Sequence, residues 1–197
     1  MRRLPAFIIL LLLSISLSGC WDTVEIENRA FLSAVGVDKV GKDEVEIIAR
    51  TPIARAAGAQ AGMGGGGGPI VSFTLYSAKG KTPGEAILKL DTKISRRVDR
   101  GQLRLIFIGE RLAKRGVHEL LDTAFRDPVS DQGALVFMAK GNLKELMGLA
   151  PPIEIFPTTY VERYIFTDTL SIPTSTRVHL WQAYVMVHDP SRELYLP

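Results

Sequence analysis

Apolar and polar positions along the chain switch between a two-residue and a 3.6-residue period, the mark of interleaved strands and helices. Residues 30–37 are mostly apolar, and residues 44–50 alternate in part, with Val45, Ile47 and Ala49 on one face. Between them, Asp38-Lys39-Val40-Gly41-Lys42-Asp43 is polar and carries a turn glycine, which predicts a hairpin. Val71, Phe73 and Leu75 alternate like a further strand. The period turns helical at Thr82-Pro83-Gly84-Glu85, which has the form of a capping box with proline at the first helical position. Ala86, Ile87, Leu90 and Ile94 then make one apolar stripe, and the helix is expected to end near Ser95.

Residues 103–108 are continuously apolar apart from Arg104, which suits a strand covered on both faces and closed by Gly109. A charged stretch, 110–115, leads into Val117, Leu120, Leu121, Ala124 and Phe125, the spacing of an amphipathic helix. Residues 134–139 are another apolar run of strand length. Asn142 is placed to cap a short helix with Leu143, Leu146 and Met147 on its inner face, stopped by Pro151-Pro152. Residues 160–166 and 178–187 are the last helical candidates, the second with Leu180, Trp181, Tyr184 and Val185 on one stripe. The expected fold class is α+β, a mixed sheet of about five strands with helices packed on it.

The segment 55–68 has nothing to pack. It is rich in Ala and Gly and includes the run Gly64 to Gly68. A phosphate cradle needs a strand before it, a helix after it and usually a Lys-Ser/Thr pair, whereas this run ends in Pro69 and flows into a strand pattern. A flexible, poorly ordered loop is expected.

The first residues speak of location. Arg2 and Arg3 precede residues 4–17, which are apolar except for Pro5, Ser14 and Ser16, and Ser18-Gly19 then lead to Cys20, the chain's only cysteine. That is the layout of an export signal, and the apolar stretch is well short of the roughly 20 residues a transmembrane helix needs. A small-residue site ending in cysteine is the pattern of a bacterial lipoprotein signal. There the thiol is alkylated by diacylglycerol and cleavage leaves Cys20 first. A lone cysteine in an exported chain has no intramolecular disulfide partner, and position 20 lies at a processing site instead of in a core-forming pattern. Each buried methylene contributes roughly 0.8 kcal/mol, and two acyl chains anchor stably where one does not. Lipidation is therefore expected at Cys20, and no cofactor beyond that covalent lipid. Trp21 and Asp22 follow directly. The indole is well placed for the headgroup region; a plain tether with no fixed role is the other reading.

Removing residues 1–19 leaves 178 of the 197 residues and takes away two cations, so the net charge falls from +3 to +1, with 22 basic against 21 acidic side chains. The basic overall balance is thus no argument for nucleic acid. The densest charge is Lys93, Arg96, Arg97, Arg100 and Arg104. Cations suit the end of a helix, and Asp91 and Asp99 dilute the field, so a solvated helix end is one reading. The other is that Arg96, Arg97 and Arg100 contact anionic headgroups or an acidic partner. His118, His179 and His188 do not fall at metal-ligand spacings. Ser33, Ser95 and Ser130 lack a Gly-x-Ser-x-Gly elbow. Neither a metal site nor an enzyme is expected.

Cys20-Trp21-Asp22, Glu25-Ile26 and Ala30-Phe31 leading to Gly36-Val37-Asp38 resemble the start of the Ger(x)C family, the C-subunit lipoproteins of spore germinant receptors. In the same order follow the Gly-rich stretch, Ser77-Ala78-Lys79-Gly80-Lys81-Thr82, Leu103-Arg104-Leu105-Ile106-Phe107-Ile108-Gly109-Glu110, Arg126-Asp127-Pro128, Ala139-Lys140-Gly141 and Pro151-Pro152. The resemblance covers essentially the whole chain after Cys20. It implies a non-enzymatic subunit held by lipid on the outer surface of the spore's inner membrane, beside two integral subunits, A and B, in a complex that responds to small nutrients. Members of the family usually continue past the region equivalent to residues 194–197 into further α/β domains. This chain is accordingly expected to be a 20–197 domain of N-terminal type, from a truncated gene, a gene whose other domains are encoded separately, or a dispensable paralogue. The reading from a different class is an exported lipoprotein that binds a small solute directly. For that reading, 178 residues around one sheet leave little room for two lobes and a cleft.

Overall fold

The computed structural model describes residues 24–53, 72–150, 157–166 and 177–197. The segment 55–68, the Pro151-Pro152 stop, and the leader with Cys20, Trp21 and Asp22 lie outside the described residues.

The predicted hairpin forms the middle of a sheet. Strands β2 (Ala34–Val40) and β3 (Glu44–Pro52) pair antiparallel, Val37 opposite Ile47, around a turn in which Gly41 takes a φ of 67°. That left-handed geometry suits a residue without a Cβ. Strand β4 (Phe73–Gly80) pairs antiparallel with β3, and β6 (Leu105–Gly109) and β7 (Leu135–Ala139) follow parallel on the far side of β2. The result is a five-stranded mixed sheet in the order β4-β3-β2-β6-β7. The α+β class is as the sequence predicts.

The apolar run 30–37 is not one strand. Residues Arg29–Phe31 form β1, which pairs in parallel with the short β5 (Arg97–Asp99) in a separate two-stranded sheet. The switch is visible in the hydrogen bonds. The Leu32 N–H donates to the Asp99 carbonyl at 2.9 Å, and the next amide, Ser33, donates to the Arg50 carbonyl at 2.9 Å.

One sheet face packs against helices α1 (Pro83–Lys93), α3 (His118–Arg126) and α6 (Leu180–His188), with α2 (Glu110–Arg115) at its end. Leu32, Val37, Ile47, Leu90, Ile108, Leu121 and Leu180 are buried there. Each such side chain contributes roughly 2 kcal/mol relative to exposure. The other face packs α4 (Leu143–Gly148) and, through Val161, α5 (Pro157–Phe166) over Ala34, Ile48, Leu105 and Leu135.

Helix ends follow the sequence closely. The Thr82 hydroxyl accepts from the Glu85 N–H at 3.2 Å, but the Glu85 carboxylate reaches back to the Lys81 N–H at 2.7 Å, one residue before the position a capping box would use. The helix ends at Lys93, capped by Ile94, slightly before Ser95. The Asn142 side chain accepts from the Lys144 and Glu145 amides. The charged stretch 110–115 is itself a helix.

Helix α6 corrects the expected stripe. Leu180 and Ala183 face the core, whereas Trp181 is 49% and Val185 41% exposed. Tyr184 keeps its inward role by stacking on Phe125, ring centroids 4.0 Å apart.

Candidate functional site

The basic cluster divides when it folds. Arg100, brought close to α1 by the β5 strand, donates to both carboxylate oxygens of Asp91, at 2.6 and 2.8 Å, and lies 3.6 Å from Asp127. With its side chain only 14% exposed, Arg100 ties α1 to the end of α3 and is committed inside the fold. The Lys93 ammonium donates to the Ser77 carbonyl at 2.6 Å, and Arg104 stands 3.8 Å from Glu162. Arg96 and Arg97 are exposed and have no carboxylate partner among the described residues. Of the three arginines singled out in the sequence, two are therefore available to an outside surface and one is not.

Arg96 lies on the rim of a groove of about 1090 Å³. Its walls come from the 3-10 turn Ile26–Asn28, β1, the last residues of β3 and the end of α1, with Phe31, Pro52, Ile53 and Ile94 among them. Arg29 lines it while pairing with Asp99 at 2.7 Å, and its Nε donates to the Val24 carbonyl at 3.3 Å. The beginning of the described chain is thus fastened to this groove. Ile26 stands beside it, 72% exposed. A second cleft of about 500 Å³ lies at the other end of the sheet, where Lys39, Lys81 and Arg115 are balanced by Asp43, Glu44 and Glu119.

The family-like tripeptide Gly36-Val37-Asp38 gains a physical role. Buried Asp38 accepts from the Lys39 amide at 2.8 Å and the Leu112 amide at 3.1 Å, so it caps α2 across the sheet, and Arg111 binds its other oxygen through Nε and an η nitrogen. Gly109 lies against that carboxyl, and a Cβ there would overlap it. Arg50, also buried, donates to the carbonyls of Leu146, Met147 and Leu149 at the end of α4 and lies 4.6 Å over the Phe73 ring. Burial pushes its guanidinium down to about 10. Neither residue was a candidate from sequence. A charge inside an apolar strand run is the signal that could have found Arg50.

The histidines are partly gathered. The His118 and His188 rings lie 4.3 Å apart between α3 and α6, with Tyr184 packed on His188. His179 stands apart: its Nδ1 lies 2.7 Å from the Gly133 carbonyl, and its backbone N–H donates to Gln182. No helix among the described residues is long and apolar enough to cross a membrane.

Comparison with known proteins places this architecture. Residues 22–197 match the family described as the spore germination protein N-terminal domain. YfkR of Bacillus subtilis (strain 168), which carries a provisional spore-germination name, is 34% identical over 161 residues, covering 81% of this chain and 41% of YfkR. Spore germination protein KC of the same organism is 30% identical over 171 residues, 85% of this chain and 42% of KC. GerQC of Bacillus cereus is 29% identical over 193 residues, 97% of this chain and 50% of GerQC. The chain belongs to this family of spore germination proteins and corresponds to its N-terminal region. It spans half the length of these relatives or less. No solved structure matches it.

Proposed function

We propose that this chain serves nutrient-triggered spore germination as the lipid-anchored, extracytoplasmic part of a germinant-receptor complex, working through protein contacts and not through chemistry of its own. The observation that carries the reading is the family match, which begins at residue 22, two positions after the cysteine that closes the lipoprotein-type leader. In this reading the acyl chains on Cys20 hold the domain on the outer face of the spore's inner membrane, next to the integral A and B subunits. Trp21 and Asp22 sit at headgroup level. Arg96 and Arg97 are free for an anionic or acidic surface; Arg100 has its role in holding α1 and α3 together.

A direct solute binder finds less support. The apolar space in the core, walled by Leu32, Val37, Ile47 and Leu90, is only about 50 Å³, far below the roughly 300 Å³ of ordinary ligand pockets, so a solute would have to sit in the groove of about 1090 Å³ or the cleft of about 500 Å³ at the two ends of the sheet. The deciding experiment is affinity purification of the tagged chain from membranes of sporulating cells, combined with its deletion. Recovery of the integral subunits and slowed germination in nutrient support the reading. A freely soluble chain that binds amino acids or sugars tightly in calorimetry, with no membrane partner, would replace it.

A further inference from the structure

We infer that the Val24–Ile26 end of the domain is the face that rests on the phospholipid surface, with Ile26 entering the headgroup layer and Arg96 and Arg97 directed at lipid phosphates. The inference rests on the proposed anchoring at Cys20 and adds to it an orientation.

The reach of the tether limits where this end can lie. From Cys20 to Val24 there are four residue steps, which span at most about 14 Å even when fully extended. Val24 is not free to swing away from the domain, because its carbonyl accepts from Arg29 Nε, and Arg29 is itself held by Asp99. The groove beside it is bounded by Pro52 and Ile53, at the end of β3. That strand runs nine residues from the hairpin turn, Glu44–Pro52, so the turn at Lys42 stands roughly 26 Å farther along the sheet. A chain tethered at Cys20 therefore keeps the groove end within reach of the bilayer, a constraint that the hairpin turn, a strand's length away, does not share.

What this end presents suits a phospholipid interface. Ile26 is a large apolar side chain standing 72% exposed at the point nearest the tether. Arg96 and Arg97 are exposed and without carboxylate partners among the described residues, and guanidinium groups bind phosphate oxygens in a fixed fork. Glu25 and Glu27 lie on the same exposed turn and oppose a strongly anionic surface. The contact is accordingly one of headgroup phosphate and shallow apolar insertion, not of a polybasic patch with bulk negative charge.

Cys20 is the chain's only thiol, which makes a direct test possible. Residues 20–197, which retain every described residue, are coupled through Cys20 to a maleimide-headgroup lipid in phosphatidylcholine–phosphatidylglycerol vesicles whose acyl chains carry bromine. Trp21→Phe and Trp181→Phe remove the native indoles, and a single tryptophan is introduced as Ile26→Trp or, at the far turn, as Lys42→Trp. Both positions are exposed, so far-UV circular dichroism should match the parent. Bromine should quench the indole at 26 several-fold more than the one at 42, and Arg96→Glu with Arg97→Glu should reduce that difference. Equal quenching at both positions, stronger quenching at 42, or none at 26 would overturn the inference, the last meaning that this face meets protein or solvent. Chemical coupling bypasses the cell's lipid transfer. Failure of the anchoring reading itself shows separately, as an unmodified Cys20 in protein from sporulating cells.

Discussion

Asp38 and Arg111 meet through two hydrogen bonds on one carboxylate oxygen, at 3.0 and 2.9 Å, while the other oxygen accepts the Leu112 and Lys39 amides. The two halves of this arrangement differ in worth. Arg111 is mostly exposed, so its pairing contributes no more than about 1 kcal/mol. The amide bonds are made at a buried carboxylate, and losing them leaves donors unpaired, at about 3 kcal/mol. Asp38→Ala should therefore destabilise about three times as much as Arg111→Met in urea unfolding. Gly109→Ala, which pushes a methyl group into the carboxyl, should cost about 3 kcal/mol. Equal losses at positions 38 and 111 would show that the ion pair, not the helix cap, is what matters.

Arg50 should behave as a buried clamp. Arg50→Ala leaves the Leu146, Met147 and Leu149 carbonyls without their donor and opens space beside Phe73, for a loss of about 3 kcal/mol or more. The loss should come with faster amide exchange in Leu143–Gly148. A loss under about 1 kcal/mol would mean the carbonyls find water easily.

Within the basic cluster, stability and surface contact should separate. Arg100→Met removes a partly buried cation that binds Asp91 and stands near Asp127, and should cost about 2 kcal/mol. Neutralising exposed Arg96 and Arg97 together should change stability by no more than about 0.5 kcal/mol. The same pair of changes should weaken vesicle or partner binding most at low salt, because screening removes exposed charge contacts as salt rises. A salt response unchanged by neutralisation would remove both arginines from the contact.

Glu85 offers a pH-dependent local contact. A side-chain hydrogen bond from Lys89, followed by one from the Lys81 amide, holds its carboxyl below the ordinary 4.5. A carboxyl lowered in the folded state adds stability above its unfolded value, and that stability is lost as pH falls through the folded value. Titration by NMR should show Glu85 moving up toward 4.5 in Lys89→Met. No movement would assign the shift to the Lys81 amide alone.

Elements defined by local signals were legible before folding. Gly41 fixes the hairpin, Thr82 and Pro83 start α1, and Asn142 caps α4, each within a few residues of its partner. What depends on distant partners was not. The strand Arg97–Asp99 is short and charged and exists through pairing with Arg29–Phe31. Glu110–Arg115 is helical because Asp38, over seventy positions earlier, caps it. On α6, residues 181 and 185 carry the apolar pattern as well as 180 and 183 do. The small Ala183 lets the helix settle on that side, and Trp181 is left outside. The candidate site was half legible: Arg96 and Arg97 stay exposed as a basic surface, but nothing local announced that Arg100 would turn inward to Asp91.

The proposed anchoring of a germination subunit through Cys20 is open to mass spectrometry of the amino-terminal peptide from fractionated sporulating cells. Lipidation predicts a mature chain beginning at a diacylglyceryl-modified Cys20 in the membrane fraction, and a Cys20→Ala chain that is unmodified and released from membranes. An unmodified Cys20 still preceded by residues 1–19, or a Cys20→Ala chain that stays membrane-bound, would contradict it.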